Sequence, residues 1–286
     1  MNRNTIKIGV IGAGTMGNGI AHVFLLYNFK VLLVDVNIDI ISSALNNIKK
    51  NMQRQVNKKI IDSNQMLNAL KNISTSNNLK DINDCNLIIE AVKEDFDIKA
   101  NIFKELDQIC SKDTILCSNT SSISINKLAS ATKRQNKVIG MHFMNPVPVM
   151  KLVEIINGRN TSKKTTDFVI EMVRIIEKIP VECNDSPGFV SNRILMPMIN
   201  EAVHCYSENV GTVESIDSIM KLGMGHPMGP LMLADLIGID VCVNILEVLE
   251  KDLGDIKYKP NNLLVQMVEK GNLGKKTGKG FYNHGL

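Results

Sequence analysis

Apolar residues recur along this chain in two rhythms: short unbroken runs, and longer stretches with a three- to four-residue step. Residues 6–12 ("IKIGVIG") are a β-branched run closed by glycine, which predicts a strand buried on both faces. A helix pattern covers about 15–27, and "KVLLVDV" at 30–36 predicts a second buried strand, so these pieces make one strand–helix–strand unit. Ile41, Leu45, Ile48, Met52 and Val56 then mark one apolar helix face, and a shorter helix reaches about Lys71. This pair predicts a helical arm over about residues 38–71, inserted into the alternation. Strands are predicted at 85–92, 114–119, 137–143 and 151–158, with helices at 97–110, 124–132 and 163–179. Alternation at this spacing predicts an α/β fold with a doubly wound, mostly parallel sheet.

The rhythm changes after "CNDSPGF". From there onward helical periodicity dominates, and Ser186-Pro187-Gly188 is a natural boundary because proline and glycine interrupt regular elements. Two domains are expected: residues 1–186, carrying the sheet, and residues 187–286, small and all-helical. A chain of 286 residues is long enough for this.

Composition narrows the classes. With 44% hydrophobic and 22% charged residues the chain is globular rather than disordered. No apolar run approaches the ~20 residues of a membrane span, so no membrane partner is expected. The strand pattern starts so near the N-terminus that no leader peptide is expected, and the location expected is cytoplasmic. Aromatics are 4% and tryptophan is absent, which disfavours stacking on nucleic-acid bases; the net charge of +4 is too small to argue for a polyanion unless clustered. The six cysteines form no CxxC pair and sit mostly among apolar neighbours, as reduced thiols would, and no metal-ligand spacing is found. Asn119-Thr120-Ser121 matches a glycosylation sequon that a cytosolic chain would not present to that machinery.

Two segments carry candidate chemistry. "GAGTMG" places Gly12, Gly14 and Gly17 in a GxGxxG pattern after a predicted strand and at the start of a helix that begins with Thr15 and Met16. Gly12 permits the tight turn, Gly14 the approach of a pyrophosphate, and Gly17 close helix–strand packing, with the helix N-terminus facing the phosphates. Asp35 follows 21 residues after Gly14, where an acid would accept hydrogen bonds from the adenosine ribose. A carboxylate repels a 2′-phosphate, and "VNID" offers no basic residue, so NAD is expected over NADP. "GNLGKKTGKG" at 271–280 resembles a phosphate loop but lacks the required spacing, and a basic, flexible tail is expected there.

The second segment is "VIGMHFMNPVPVMKLVEII" at 138–156. His142 sits in an apolar run, and Glu154 follows in another. By itself His142 reads first as a buried structural histidine and only second as an active-site base, because a single histidine in a core-like run usually just finds a partner. A bound nicotinamide changes that balance, because hydride transfer at a carbonyl/alcohol pair needs a group to hold and move the proton. His142 is placed at the C-terminal end of a sheet strand, where ligands of such sheets bind. A buried glutamate also requires a partner. His22 in the first helix, His204 beside Cys205 and Tyr206, His226 in a turn and His284 in the tail lack this context.

Taken together, "VIGAGTMGNGIA", "IIEAV", "SNTSS", "GMHFMNPVPVMKLVEII", "DSPGFVSNRIL", "MKLGMGHPMGPL" and "GKKTGKGFY" resemble the L-3-hydroxyacyl-CoA dehydrogenase family in its stand-alone prokaryotic 3-hydroxybutyryl-CoA dehydrogenase type, over essentially the full length. The resemblance implies a Rossmann-like NAD-binding domain and a C-terminal domain that binds substrate and forms a homodimer. It implies His142 as general acid/base, Glu154 as its orienting partner, Ser121 as a donor to the reacting oxygen, and Asn192 as an amide holding the acyl part. Glu94, Lys99 and Asn145 match cofactor-side positions, although a solvated charged face is the ordinary reading of "KEDFDIK". The segment between Asp39 and Asp62 carries only basic charges, and Arg54 and Lys58, one helical turn apart, would then meet coenzyme A phosphates. Met144 departs from a frequent phenylalanine in the family. Two rivals stay open: an NAD-dependent sugar-acid dehydrogenase, for which the basic arm has no use, and a non-catalytic NAD-binding sensor or structural protein, which would not need Ser121, His142, Glu154 and Asn192 together.

Overall fold

A computed structural model describes residues 6–285; the expectation about a leader concerns Met1–Thr5, which lie outside them. The chain divides into two compact units that meet between Asp185 and Ser186.

The first unit is built on an eight-stranded sheet. Its strands are β1 (Lys7–Ile11), β2 (Lys30–Val34), β3 (Ile73–Ser76), β4 (Leu87–Glu90), β5 (Ile115–Ser118), β6 (Val138–Phe143), β7 (Leu152–Asn157) and β8 (Ile179–Asn184), in the order β3-β2-β1-β4-β5-β6-β7-β8. All neighbours are parallel except β6 and β7. The order reverses between β1 and β4, which opens a crevice at their carboxyl ends, where ligands of doubly wound sheets bind.

Helices α1 (Thr15–Leu26) and α6 (Lys163–Ile175) share one apolar cluster with Ile8, Val10, Ile139 and Met141. Ile88 and Leu116 are buried on the alternate face, the side of α4 (Phe96–Ile109) and α5 (Ile125–Ser130). The arm consists of α2 (Ile38–Asn57) and α3 (Ser63–Lys71). The Asn37 side chain accepts from the N–H groups of Asp39 and Ile40 at the start of α2, and Asp62 with Gln65 forms a capping box at α3. Ile41, Ala44, Ile48 and Met52 bury one face of α2 and leave its basic residues outward.

The second unit packs α7 (Ser191–Ser207), α8 (Val213–Met224), α9 (Pro230–Ile237), α10 (Ile239–Leu253) and α11 (Asn262–Glu269) around Ile199, Val203, Leu231, Leu246, Leu249 and Leu264.

Three sequence expectations are corrected. The helix expected over 163–179 ends at Ile175, and Ile179 opens β8. β3 and β8 were not anticipated at all. Both are edge strands with mostly unburied residues, so they carry little apolar signal, and Pro180 is tolerated because an edge strand has a side that needs no donor. The segment 271–280 is folded against its own unit. Gly274 N donates to Lys279 O at 2.8 Å, Lys276 pairs with Asp240 at 2.6 Å, and the N–H groups of Phe281 and Tyr282 each donate to the buried Asp235 carboxylate at 2.9 Å. A buried carboxylate demands donors, and the tail supplies them.

Candidate active site

The nucleotide end starts where β1 stops. Gly12 has φ +93° and donates its N–H to Val34 O at 2.8 Å, a left-handed turn suited to glycine. Gly14 is the N-cap of α1 with no side-chain cap, so the helix N-terminus is left open toward a ligand; a Cβ on Gly14 would meet nothing within 4 Å. A Cβ on Gly17 would strike the Gly12 carbonyl. Asp35 follows β2 and is tied into the turn: Oδ2 accepts from Ala13 N at 2.8 Å and Oδ1 from Asn37 N at 3.0 Å. A cavity of about 390 Å³ is lined by Gly12, Gly14, Asp35, Val36, Leu79 and Ile98, with Lys93 also at its wall. Apolar walls for a base, a carboxylate for a ribose and an uncapped helix for phosphates fit a dinucleotide. Thr15 and Met16 begin α1 beside this turn.

The proton-handling end is assembled by strand register. β6 and β7 place His142 directly opposite Glu154, both buried. His142 Nδ1 lies 2.8 Å from Glu154 Oε2, and Nε2 lies 3.1 Å from Ser121 Oγ. Because the carboxylate can only accept, Nδ1–H donates to it, which leaves the Nε2 lone pair facing the serine hydroxyl. Asn119 accepts the Phe143 N–H at 2.8 Å through Oδ1 and so ties the turn after β5 to the end of β6. Asn145 follows, exposed and joined to Pro146 by a cis peptide.

Glu94 and Lys99 come together, with Lys99 Nζ 3.2 Å from Glu94 Oε2. Lys99 is only 1% exposed, so the solvated-face reading fails for it, although Lys93 and Asp97 are exposed. Burial by itself would raise Glu94, but the Lys99 ammonium and hydrogen bonds from Thr120 and the Ser121 and Ser122 N–H groups hold its carboxyl below the usual range. Asn192 lies buried in the first turn of α7, in the second unit. Arg54 is exposed in the last turn of α2, and Lys58 is exposed at its C-cap.

Two residues escaped the sequence. Glu90 ends β4 fully buried, and burial raises its carboxyl above the usual range against three donors: Lys99, Ser118 and Val92 N. The only available signal was an acid closing the apolar run "LIIE". Lys178 is buried and donates to Val147 O and Met150 O, both at 2.6 Å, which anchors the "NPVPVM" loop. Nothing local to Lys178 announces that. His22 is buried with Nε2 3.0 Å from Gln55 Oε1, joining α1 to the arm.

Residues 7–186 match the family model described as 3-hydroxyacyl-CoA dehydrogenase, NAD binding domain, and residues 188–284 match 3-hydroxyacyl-CoA dehydrogenase, C-terminal domain. A 3-hydroxybutyryl-CoA dehydrogenase of Clostridioides difficile is 50% identical over 279 residues, 98% of this chain and 99% of that protein. The one from Bradyrhizobium diazoefficiens is 49% identical over 97% of this chain and 95% of its own length. Among solved structures, the (S)-3-hydroxybutyryl-CoA dehydrogenase of Ralstonia eutropha superposes with a TM-score of 0.95 at 42% identity, covering 99% of this chain and all of the other.

Proposed function

This chain belongs to the 3-hydroxyacyl-CoA dehydrogenase family, and on that premise we propose that it interconverts 3-hydroxybutyryl-CoA and acetoacetyl-CoA with NAD. The observation that carries this reading is the Ser121–His142–Glu154 chain, half-buried at the serine and buried at the other two, with links of 3.1 and 2.8 Å. NAD supplies the hydride acceptor and donor for the substrate's C3. His142 Nε2 takes the 3-hydroxyl proton in the oxidative direction and returns it in the reverse. Glu154 holds the imidazole in the tautomer that exposes Nε2 and balances the imidazolium once the proton has moved. The Ser121 hydroxyl donates to the oxygen as it gains charge.

Asn192 is assigned to the acyl portion of the substrate, and Glu94, Lys99 and Asn145 to the nicotinamide side of the cofactor. Gly12, Gly14, Thr15, Met16 and Gly17 form the pyrophosphate cradle, with Asp35 at the ribose. Arg54 and Lys58 are assigned to the coenzyme A phosphates, which guanidinium and ammonium groups bind by charge-assisted hydrogen bonds. The second unit is assigned a homodimer contact: Ile219, Leu222 and Met224 stand exposed on α8, an apolar face suited to a second copy. The six cysteines form no disulfide, which suits a cytoplasmic location. No helix among the described residues is long and apolar enough to cross a membrane.

The test is loss of NADH absorbance with acetoacetyl-CoA, compared with free acetoacetate and with NADPH. CoA-dependent oxidation of NADH, reduced about 10²–10⁴-fold in His142→Ala with the fold intact, is expected. Tight NADH binding without turnover of any acyl-CoA would overturn the proposal.

A further inference from the structure

We propose that Glu90 is a positioning residue: acting through Lys99 and Glu94, it holds the turn that carries Ser121, so that the Ser121 hydroxyl stands at hydrogen-bond distance from His142. The inference rests on the role assigned to Ser121 above.

The chain of contacts is continuous and lies within the first unit. Glu90 is fully buried at the end of β4. Its Oε1 accepts from Lys99 Nζ at 2.6 Å and from Val92 N at 2.7 Å, and its Oε2 accepts from Ser118 Oγ at 2.6 Å. Lys99 turns from Glu90 to Glu94 Oε2 at 3.2 Å. The other Glu94 oxygen, Oε1, gathers the turn after β5. It accepts from the Ser121 N–H at 2.9 Å, the Ser122 N–H at 3.0 Å, the Ser122 hydroxyl at 3.1 Å and the Thr120 hydroxyl. Thr120 Oγ1 then accepts from Ile123 N at 2.9 Å. One carboxylate oxygen thus sets the backbone on both sides of Ser121.

A buried ion pair is a poor stabiliser, because desolvation offsets most of its Coulomb attraction. Stability alone therefore does not account for two carboxylates and an ammonium at this place. What the arrangement does deliver is orientation. Two parallel strand ends and the first turn of α4 are locked to one another, and the locked assembly presents Ser121 to Nε2. Without the Glu90 charge, Lys99 keeps only Glu94 as an anionic partner and is drawn off β4, and Glu94 is freed to move with it. The Ser121 turn then loses its fixed reference to the sheet.

The test is a mutant cycle read in steady-state turnover of acetoacetyl-CoA and NADH: wild type, Ser121→Ala, Glu90→Gln and the double variant. Glu90→Gln is expected to lower kcat by about 10–100-fold, as small misplacements of a reacting group do; KM for NADH rises with it because Lys99 and Glu94 are also assigned to the nicotinamide side, so the readout that decides is the cycle with Ser121→Ala. The double variant is expected to turn over no more slowly than Ser121→Ala alone, because residues acting through one another are not additive. If the losses multiply, Glu90 is a general structural support and the proposal fails. If Glu90→Gln keeps kcat within about twofold of wild type, it also fails. A wild-type kcat in Ser121→Ala would instead overturn the role of Ser121, and positioning with it, a result distinct from either of those. Should Glu90→Gln not fold, Glu90→Asp keeps the charge but draws the carboxylate back by one methylene from Lys99 Nζ and Ser118 Oγ, now 2.6 Å away. The same cycle built on it carries the same expectation and the same refutation.

Discussion

Adding one methyl group at Gly14 or at Gly17 separates the folding role of the glycine turn from its binding role. At Gly17 the new Cβ would be driven into the Gly12 carbonyl oxygen, a backbone atom fixed by the hydrogen bond from Gly12 N to Val34 O. Overpacking against a fixed backbone costs about 3 kcal/mol. For a unit of this size that is a fall of about 6–12 °C in Tm. At Gly14 the backbone has φ −64° and ψ −167°, which alanine adopts freely, and the Cβ meets nothing within 4 Å. Gly14→Ala should therefore cost at most about 1 kcal/mol as a poorer N-cap. The same methyl stands where, on the proposed reading, the pyrophosphate approaches the α1 N-terminus. Losing charge-assisted N–H contacts worth about 1.5–3 kcal/mol weakens NADH binding about 10- to 100-fold. Thermal melts of the apo protein and fluorescence titration with NADH measure both. Wild-type NADH affinity in Gly14→Ala would show that the pyrophosphate does not pass over Gly14. A wild-type melting temperature in Gly17→Ala would refute the packing argument.

Three further outcomes are expected. Burial holds His22 below its ordinary 6.5, with Gln55 opposing and the Lys178 charge adding to the effect. As pH falls through about 6.5 the unfolded chain takes up the proton first, so stability drops on the acid side and this loss is absent above it. Urea midpoints at about pH 7.5 and about pH 5.5 should differ less in His22→Gln than in wild type, and an equal acid loss in both would place the slope elsewhere. Lys178→Met removes the donor to Val147 O and Met150 O and should cost about 1–3 kcal/mol in urea unfolding; unchanged stability would mean that those carbonyls find other donors. Replacing both Arg54 and Lys58 with alanine should raise KM for acetoacetyl-CoA about 10-fold with kcat unchanged, and by less at high salt; an unchanged KM would remove α2 from coenzyme A binding.

The chain's own pattern determined more of this protein than its edges and networks did. Strands β1, β2, β4, β5 and β6 were legible because strands buried on both faces read as continuous apolar runs, and burial is a property that each residue carries locally. The glycine turn was legible because its backbone conformation and its clearances admit one residue type. His142 and Glu154 were each visible as polar residues in apolar runs. Their pairing was implied by the family resemblance and not by spacing, because it arises from an antiparallel register between β6 and β7 that no spacing within either strand encodes. The edge strands β3 and β8 were illegible because exposed positions carry little periodicity. The same limit hid the tail. Its lysines and glycines look mobile until Asp235, buried some 40 residues earlier in the chain, requires its donors. Glu90, Lys99 and Lys178 make the point most sharply. A charged residue has no reason to be buried except its partners, and partners distant along the chain, such as Val147 for Lys178, exist only once the chain has folded.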